Sequence, residues 1–256
     1  CTGGEPCGVT NCLNFGNPEH PEVMWQLSES VDGMAEACNA FGLPVIGGNV
    51  SLYNESRGTD IDPTPVIGLL GVVDHLDRRP PGVTMGDGDA LVLLGSDLSD
   101  ASPSLAGSAV AWAAGDKGGT LPAFDGVAHT AVADLVRTLV REGALTGVHD
   151  ASSGGLGVAL AELTCRSGLG LRVDAPLTAA QLFSESPSRV VAVVPASHAE
   201  SLVTRAREAG VAAVLLGAAG GDRLVIADLV DLAADEVITT WRDRLPVALG
   251  AGTTQA

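Results

Sequence analysis

The stretch PVIGGNVSLYNE, residues 44–55, decides how this chain is read. A short apolar run, Leu43 to Ile46, has the composition of a buried strand, and Gly47, Gly48, Asn49, Val50 and Ser51 follow it directly. Two adjacent glycines let a backbone turn tightly and come close to a ligand, while Asn49 and Ser51 offer an amide and a hydroxyl at the same place. From the residues alone the segment is either a loop for a polyanion or metal-phosphate at a strand end, or a tight turn with a polar tip. It holds no general base and no strong nucleophile, so any chemistry there is completed by groups from elsewhere.

Outward from this stretch the pattern is α/β. Asn17 and Pro18 precede a helix expected over Pro21 to Phe41, with Met24, Leu27, Val31, Met34 and Cys38 recurring at three- and four-residue steps and Gly42 stopping it. Val66 to Val73 reads as the next strand. DHLDRRPPGVTMGDG, from Asp74 to Gly88, is rich in charge, Pro and Gly and reads as an interdomain linker. The expected division is a first domain over 1–76, a linker over 77–88, a second domain over 89–250 and a tail over 251–256. In the second domain Ala90 to Leu94, Val190 to Val194 and Leu224 to Ile226 read as strands. The Pro122 to Glu142 region reads as a helix with Val132, Leu135, Val136 and Leu139 on one face, and Ala199 to Ala209 as a charged helix.

VHDASSGGLGVALAE, residues 148–162, is a strand end followed by Ser152, Ser153, Gly154, Gly155 and a helix. A serine N-cap leaves further amides of a first helical turn facing outward, so the segment is either an anion-binding nest or a capped helix needing close packing at its glycines. His20, His75, His129, His149 and His198 are scattered without partners at motif spacing, and none is assigned as a base.

Composition limits the partners. The 256 residues, 46% hydrophobic, suffice for two cores, and a formal net charge of -17 with a pI near 4.4 repels nucleic-acid backbones and anionic membranes. Magnesium and backbone amides can still hold phosphates. No apolar run reaches the roughly 20 residues of a membrane span. Five cysteines without CxxC spacing suit a reducing compartment and free thiols rather than a metal cluster. Cys12 is either a small buried apolar residue or a nucleophile, the former being the commoner case.

TNCLNFGNPEHPEVMWQ (residues 10–26), the GGNVS segment, PTPVIGLLG (63–71), VHDASSGGLGVALAE and LFSESPSR (182–189) occur in an order that resembles the phosphoribosylformylglycinamidine synthase family, synthetase subunit of the multi-subunit form. The likeness runs through nearly the whole chain but matches only the C-terminal part of the family's length, and CTGGEPCG at the start reads as the middle of a domain. The resemblance implies an AIR-synthetase-like fold of α/β (α+β) class, with part of an A-type domain followed by a B-type domain. It also implies a first A–B half outside this sequence, carrying the family's catalytic histidines, ATP-contacting lysine and acidic magnesium ligands. No catalytic residue is assigned here.

By the same resemblance, Asn11 and Gly48 contact ATP, Asn49 coordinates Mg²⁺ and Ser51 contacts formylglycinamide ribonucleotide. Many relatives carry Asp where this chain has Asn11, so that position offers no charged ligand. The implied reaction phosphorylates the substrate amide oxygen with ATP and lets ammonia displace it, giving the amidine, ADP and phosphate in the cytoplasm. The implied partners are the N-terminal half of the subunit, a glutaminase subunit and a small bridging subunit. LFSESPSR corresponds to a substrate-contacting motif of the first half, and an internal Glu185–Arg189 pair is expected in this degenerate copy. A second reading is a noncatalytic nucleotide-binding scaffold built on the SSGG helix start. A third, another A-plus-B enzyme such as AIR synthetase or selenophosphate synthetase, is opposed by the TNCLNFGNPE and GGNVSLYNE strings.

Overall fold

The computed structural model describes residues 1–74 and 79–250, so His75, the first residues of the expected linker and the 251–256 tail lie outside the described residues. The chain divides into two compact units, Gly4–Leu76 and Cys1–Gly3 with Asp77–Ala256.

The smaller unit contains β1 (Glu5–Asn14), α1 (Pro21–Phe41), β2 (Val45–Ser51), the short β3 (Glu55–Ser56) and β4 (Thr59–Asp60), and β5 (Thr64–Val72). Its main sheet has the order β2-β1-β5, with β1 parallel to β2 and antiparallel to β5. Helix α1 begins at Pro21, whose missing N–H costs nothing in a first turn, and ends where Gly42 takes a left-handed φ of 64°. Its inward face is rotated from the expected one. Val23 is buried, Leu27 and Met34 pack beside it on Leu13 and Phe15, and Met24 and Val31 are exposed. The three- and four-residue steps also admit this neighbouring stripe, and the fully buried Phe15 selects it. Towards its C-terminus α1 stands off the sheet, leaving an apolar cavity of about 230 Å³ lined by residues including Val9, Asn11, Met34, Cys38 and Phe41.

The stretch 47–51 is strand, which corrects the expectation of a loop. Asn11, Cys12, Leu13 and Asn14 stand opposite Gly48, Asn49, Val50 and Ser51 in parallel register. Pairing with β1 gives these residues backbone partners that an apolar-run argument does not foresee.

The larger unit contains β6 (Asp89–Leu94), α2 (Ala109–Ala113), α3 (Gly126–Glu142), β7 (Gly147–Asp150), α4 (Gly155–Ser167), β8 (Leu171–Val173) and α5 (Ala179–Phe183). It continues with β9 (Val190–Pro195), a 3₁₀ turn at Ala196–His198, α6 (Ala199–Glu208), β10 (Ala213–Ala219), β11 (Arg223–Ile226), β12 (Val230–Ala233) and α7 (Ala234–Ala248). Seven strands form one mixed sheet in the order β12-β11-β8-β10-β6-β9-β7. Successive residues of β6 point to opposite faces. Leu91 and Leu93 join Leu156, Leu160 and Leu163 of α4 in one core, and Ala90, Val92 and Leu94 join Val132, Leu135, Val136 and Leu139 of α3 in the other. Each fully buried leucine contributes about 1.5–3 kcal/mol of transfer free energy. No helix of the described residues is long and apolar enough to cross a membrane.

Candidate functional site

The carboxyl ends of the parallel strands β1 and β2 lie side by side, the place where open α/β sheets carry their ligands. All four expected site residues lie on this strand pair. Asn11 and Gly48 are register partners, as are Asn14 and Ser51, and Asn49 stands opposite Cys12. The two-residue alternation of a strand puts Asn49 and Ser51 on one face and Asn11 with Gly48 on the other. Asn11 accordingly lines the cavity beneath α1.

Gly48 cannot be replaced without displacement. A Cβ there would lie 2.2 Å from Asn11 Oδ1, 2.8 Å from Asn11 Cγ and 2.7 Å from the Asn11 carbonyl oxygen. The glycine is thus required by the approach of the neighbouring strand and its side-chain amide. Asn49 is exposed, and its side chain has no hydrogen-bond partner among the described residues. Ser51 is half-buried and engaged. Its Oγ lies 3.2 Å from Asn54 Oδ1 and 3.1 Å from Asn54 Nδ2, and that Nδ2 also donates to the carbonyl oxygens of Ser51 at 3.0 Å and Phe15 at 2.9 Å. Asn54 therefore ties the end of β1 to the end of β2.

Asp60 fixes the loop leading into α1. Its Oδ1 accepts from the Asn17 amide at 2.7 Å, and its Oδ2 lies 2.6 Å from His20 Nδ1. The Asn17 amide and then His20 hold the Asp60 carboxyl below its usual range, and Asp60 raises His20. Cys12 is half-buried beside Asn14, whose Nδ2 lies 3.5 Å from its Sγ. Among the described residues no group of three or more His, Cys, Asp or Glu is placed to hold a metal ion.

The second candidate, the start of α4, lacks the serine cap expected but shows the expected close packing, since a Cβ at Gly155 would lie 2.5 Å from the Ser184 carbonyl oxygen. The N-cap is Gly154, at a left-handed φ of 79° that a serine adopts only with strain, and it makes no side-chain cap. Gly154 and Gly155 are buried. The Gly154 amide donates at 2.8 Å to Glu185 Oε1, which also accepts from the Ala109 amide at 2.7 Å. Ser152 Oγ turns back to Asp150 Oδ2.

Glu185 is therefore not paired with Arg189, as the motif suggested. Arg189 is buried and donates to the carbonyl oxygens of Gln181 at 3.0 Å, Ser186 at 3.2 Å and Ser184. A buried guanidinium with five donors is satisfied by carbonyls at the end of a helix, here α5, leaving the carboxylate for the amides at the start of two others. Reading by sequence spacing also missed the partners of His149. Its Nε2 lies 2.7 Å from Glu162 Oε2 and its Nδ1 3.5 Å from Asp150 Oδ1. Asp150 and Glu162 raise His149, and His149 with Ser152 holds Asp150 far below the carboxylate range. A residue facing its partner on the next helix leaves no mark in a spacing pattern.

Two family models match the chain, the N-terminal domain of AIR synthase related proteins over residues 1–73 and their C-terminal domain over residues 86–228. The phosphoribosylformylglycinamidine synthase subunit PurL of Anaeromyxobacter dehalogenans is 41% identical over 263 residues, taking in 97% of this chain and 34% of the relative. The PurL subunit of a Nocardioides species is 42% identical over 252 residues, with 97% and 32% covered. The chain thus spans about a third of the length of these curated relatives. Among solved structures, Thermotoga maritima PurL complexed with FGAR superposes with a TM-score of 0.69 at 19% identity over 93% of this chain and 40% of that one. The hydrogenase maturation protein HypE superposes with a TM-score of 0.61 at 18% identity over 86% and 70%. These two likenesses speak to the fold alone.

Proposed function

The chain belongs to the AIR synthase related family, and from that premise we propose that it is the C-terminal portion of an ATP-dependent, amidine-forming ligase of the phosphoribosylformylglycinamidine synthase type. The observation that carries the reading is 41% identity through 97% of the chain to a PurL subunit. In this reading residues 1–76 belong to an A-type domain and residues 89–250 form a B-type domain, working in the cytoplasm with the remaining part of the subunit, a glutaminase subunit and a small bridging subunit. The exposed apolar residues of β2 and β5, among them Ile46, Val66, Leu69 and Leu70, suit a sheet that is covered in a larger assembly.

The site residues divide the work by face. Gly48, where a Cβ has no room, lets the strand pair approach closely, and its backbone with the Asn11 amide is assigned to ATP. Asn49, exposed with its amide oxygen uncommitted, fits a neutral oxygen ligand to Mg²⁺, the remaining ligands coming from outside this chain. The metal, when bound, offsets the negative charge of the phosphates. Ser51, its hydroxyl oriented by Asn54, is assigned to formylglycinamide ribonucleotide, whose amide oxygen takes the γ-phosphoryl group and leaves as phosphate when ammonia adds at carbon. These residues position and stabilise charge and do no acid–base work. The alternative of a noncatalytic nucleotide scaffold on the α4 start is disfavoured by Glu185, which already sits on that amide.

The test grafts the chain onto the remaining part of the Anaeromyxobacter relative and compares Asn49→Ala with the parent graft. Loss of a charge-assisted contact of about 1.5–3 kcal/mol lowers kcat/KM by roughly ten- to a hundred-fold and moves the magnesium titration to higher concentration. An unchanged magnesium titration in an active graft would remove Asn49 from the metal site.

A further inference from the structure

Between β6 and α3 the chain makes a long excursion, residues 95–125, that has no counterpart in the chemistry proposed above. Its first part is sewn to the 178–184 segment by neutral side chains. Buried Gln181 donates Nε2 to the carbonyl oxygens of Leu98 at 2.9 Å and Asp100 at 2.8 Å, Thr178 Oγ1 donates to Ala101 O at 2.7 Å, and buried Ser184 Oγ to Ser104 O at 2.8 Å. Gly107 follows at a left-handed φ of 76°. Beyond it Ser108 and Ala111 are buried, at 1% and 6% exposure, whereas residues 112–125 are exposed apart from half-buried Pro122. Lys117 lies over the exposed Trp112 ring, 4.7 Å from its centroid.

One charged anchor stands between the sewn part and the exposed part. Glu185 Oε1 accepts from Ala109 at the start of α2 and from Gly154 at the start of α4. Unlike Gln181 and Ser184, which are buried, Glu185 is half-exposed. A carboxylate shared by two amides makes charge-assisted bonds, and its solvent access allows water to take its place when the bonds open.

We propose that Glu185 is the latch of a strap, residues 107–119, whose first helical turn it holds against the start of α4. Release at Glu185 frees Ala109 and Gly154 together, and the strap moves between two fixed ends, Gly107 and Thr120, whose carbonyl oxygen accepts from Ser104 Oγ at 2.5 Å, while its root at residues 98–104 stays in place. The device is independent of the ligase reading, since it uses none of the residues of the β1–β2 site.

Lys117 is the chain's single lysine, so a protease specific for lysine cuts at one place, inside the strap. The full chain, Glu185→Ala and Glu185→Gln are compared for the rate of this cut. The expected result is cleavage about ten-fold faster or more in Glu185→Ala, an intermediate rate in Glu185→Gln, which keeps a neutral acceptor, and unchanged amide exchange in β6 and β9. Sodium formate, against sodium chloride at equal ionic strength, slows the Glu185→Ala cut towards the wild-type rate by restoring a carboxylate to the two amides. Equal rates in wild type and Glu185→Ala, no effect of formate, or faster exchange in β6 and β9 would each overturn the latch.

Discussion

Substituting Gly48 by alanine adds one methyl group facing Asn11 of β1, and the structure says what it meets. Two of the three short distances, 2.2 and 2.8 Å, are to the Asn11 side chain, which can rotate. The third, 2.7 Å, is to the Asn11 carbonyl oxygen, which moves only with its strand. Overpacking of this kind costs about 1–3 kcal/mol, and the share borne by the side chain is separable. In Asn11→Ala the amide is gone and the carbonyl remains. The double variant is therefore expected to recover part of the loss, with a coupling on the order of 1 kcal/mol, while the backbone share persists. Amide exchange of β1 across a urea series reads the stability of the smaller unit directly for the four proteins of the cycle. If Gly48→Ala shifts β1 protection by less than about 0.5 kcal/mol, the close approach is not a constraint in solution. Full additivity with Asn11→Ala would assign the whole penalty to the backbone and refute the role given to the amide.

Arg189→Met removes the guanidinium that donates to three carbonyl oxygens and is expected to destabilise the larger unit by about 1–3 kcal/mol, with Arg189→Lys recovering little because a single ammonium cannot reproduce the fork. Urea unfolding followed by circular dichroism decides it, a loss under about 1 kcal/mol counting against the assignment. Thr164 Oγ1 is buried without a hydrogen-bond partner among the described residues, so Thr164→Val is expected to stabilise by about 1 kcal/mol, and a measured loss would show that the hydroxyl is satisfied. His149 is raised above its unfolded value near 6.5, so its contribution to stability is complete below that pH and is lost as pH rises through the folded value. Proton NMR should show it titrating above 6.5 and His129, lowered by burial, below, with His149→Gln flattening the stability profile between pH 6.5 and the folded His149 value; the reverse order of titration would break the His149–Asp150–Glu162 network. The chain by itself is expected to form no amidine from ATP, ammonia and formylglycinamide ribonucleotide, and turnover by pure protein would contradict the proposed division of the site.

The elements that the sequence declares are those in which a single local rule acts. Gly42 ends α1, and the apolar runs of β6 and β9 have lengths and compositions only a buried strand accepts. What stayed hidden depends on partners distant along the chain. Strand β1 mixes Thr10, Asn11 and Asn14 with apolar residues and shows its nature only through β2 and β5 on either side. The glycines of 47–48 carry a turn signal by composition, yet their conformation is set by parallel pairing and by room for the Asn11 amide. The Glu185–Arg189 expectation failed because two opposite charges four residues apart had stronger claims elsewhere, the arginine on buried carbonyls and the carboxylate on helix amides. The four site positions are expectations from family likeness, and their division between two faces of the sheet shows only through register.

The order β2-β1-β5 places in the middle of the sheet the strand that leaves the ribosome before both of its neighbours. Helix α1 and β2 emerge next and cover one edge of β1, but the other edge waits for β5, whose pairing runs from Asn14 opposite Thr64 to Glu5 opposite Val72. At ~5–20 residues per second the interval between synthesis of Asn14 and Val72 lasts about 3–12 s, during which β1 offers an open row of backbone donors and acceptors. The yield of correctly folded smaller unit is therefore decided during translation, by whether β5 reaches that edge before a neighbouring nascent chain does.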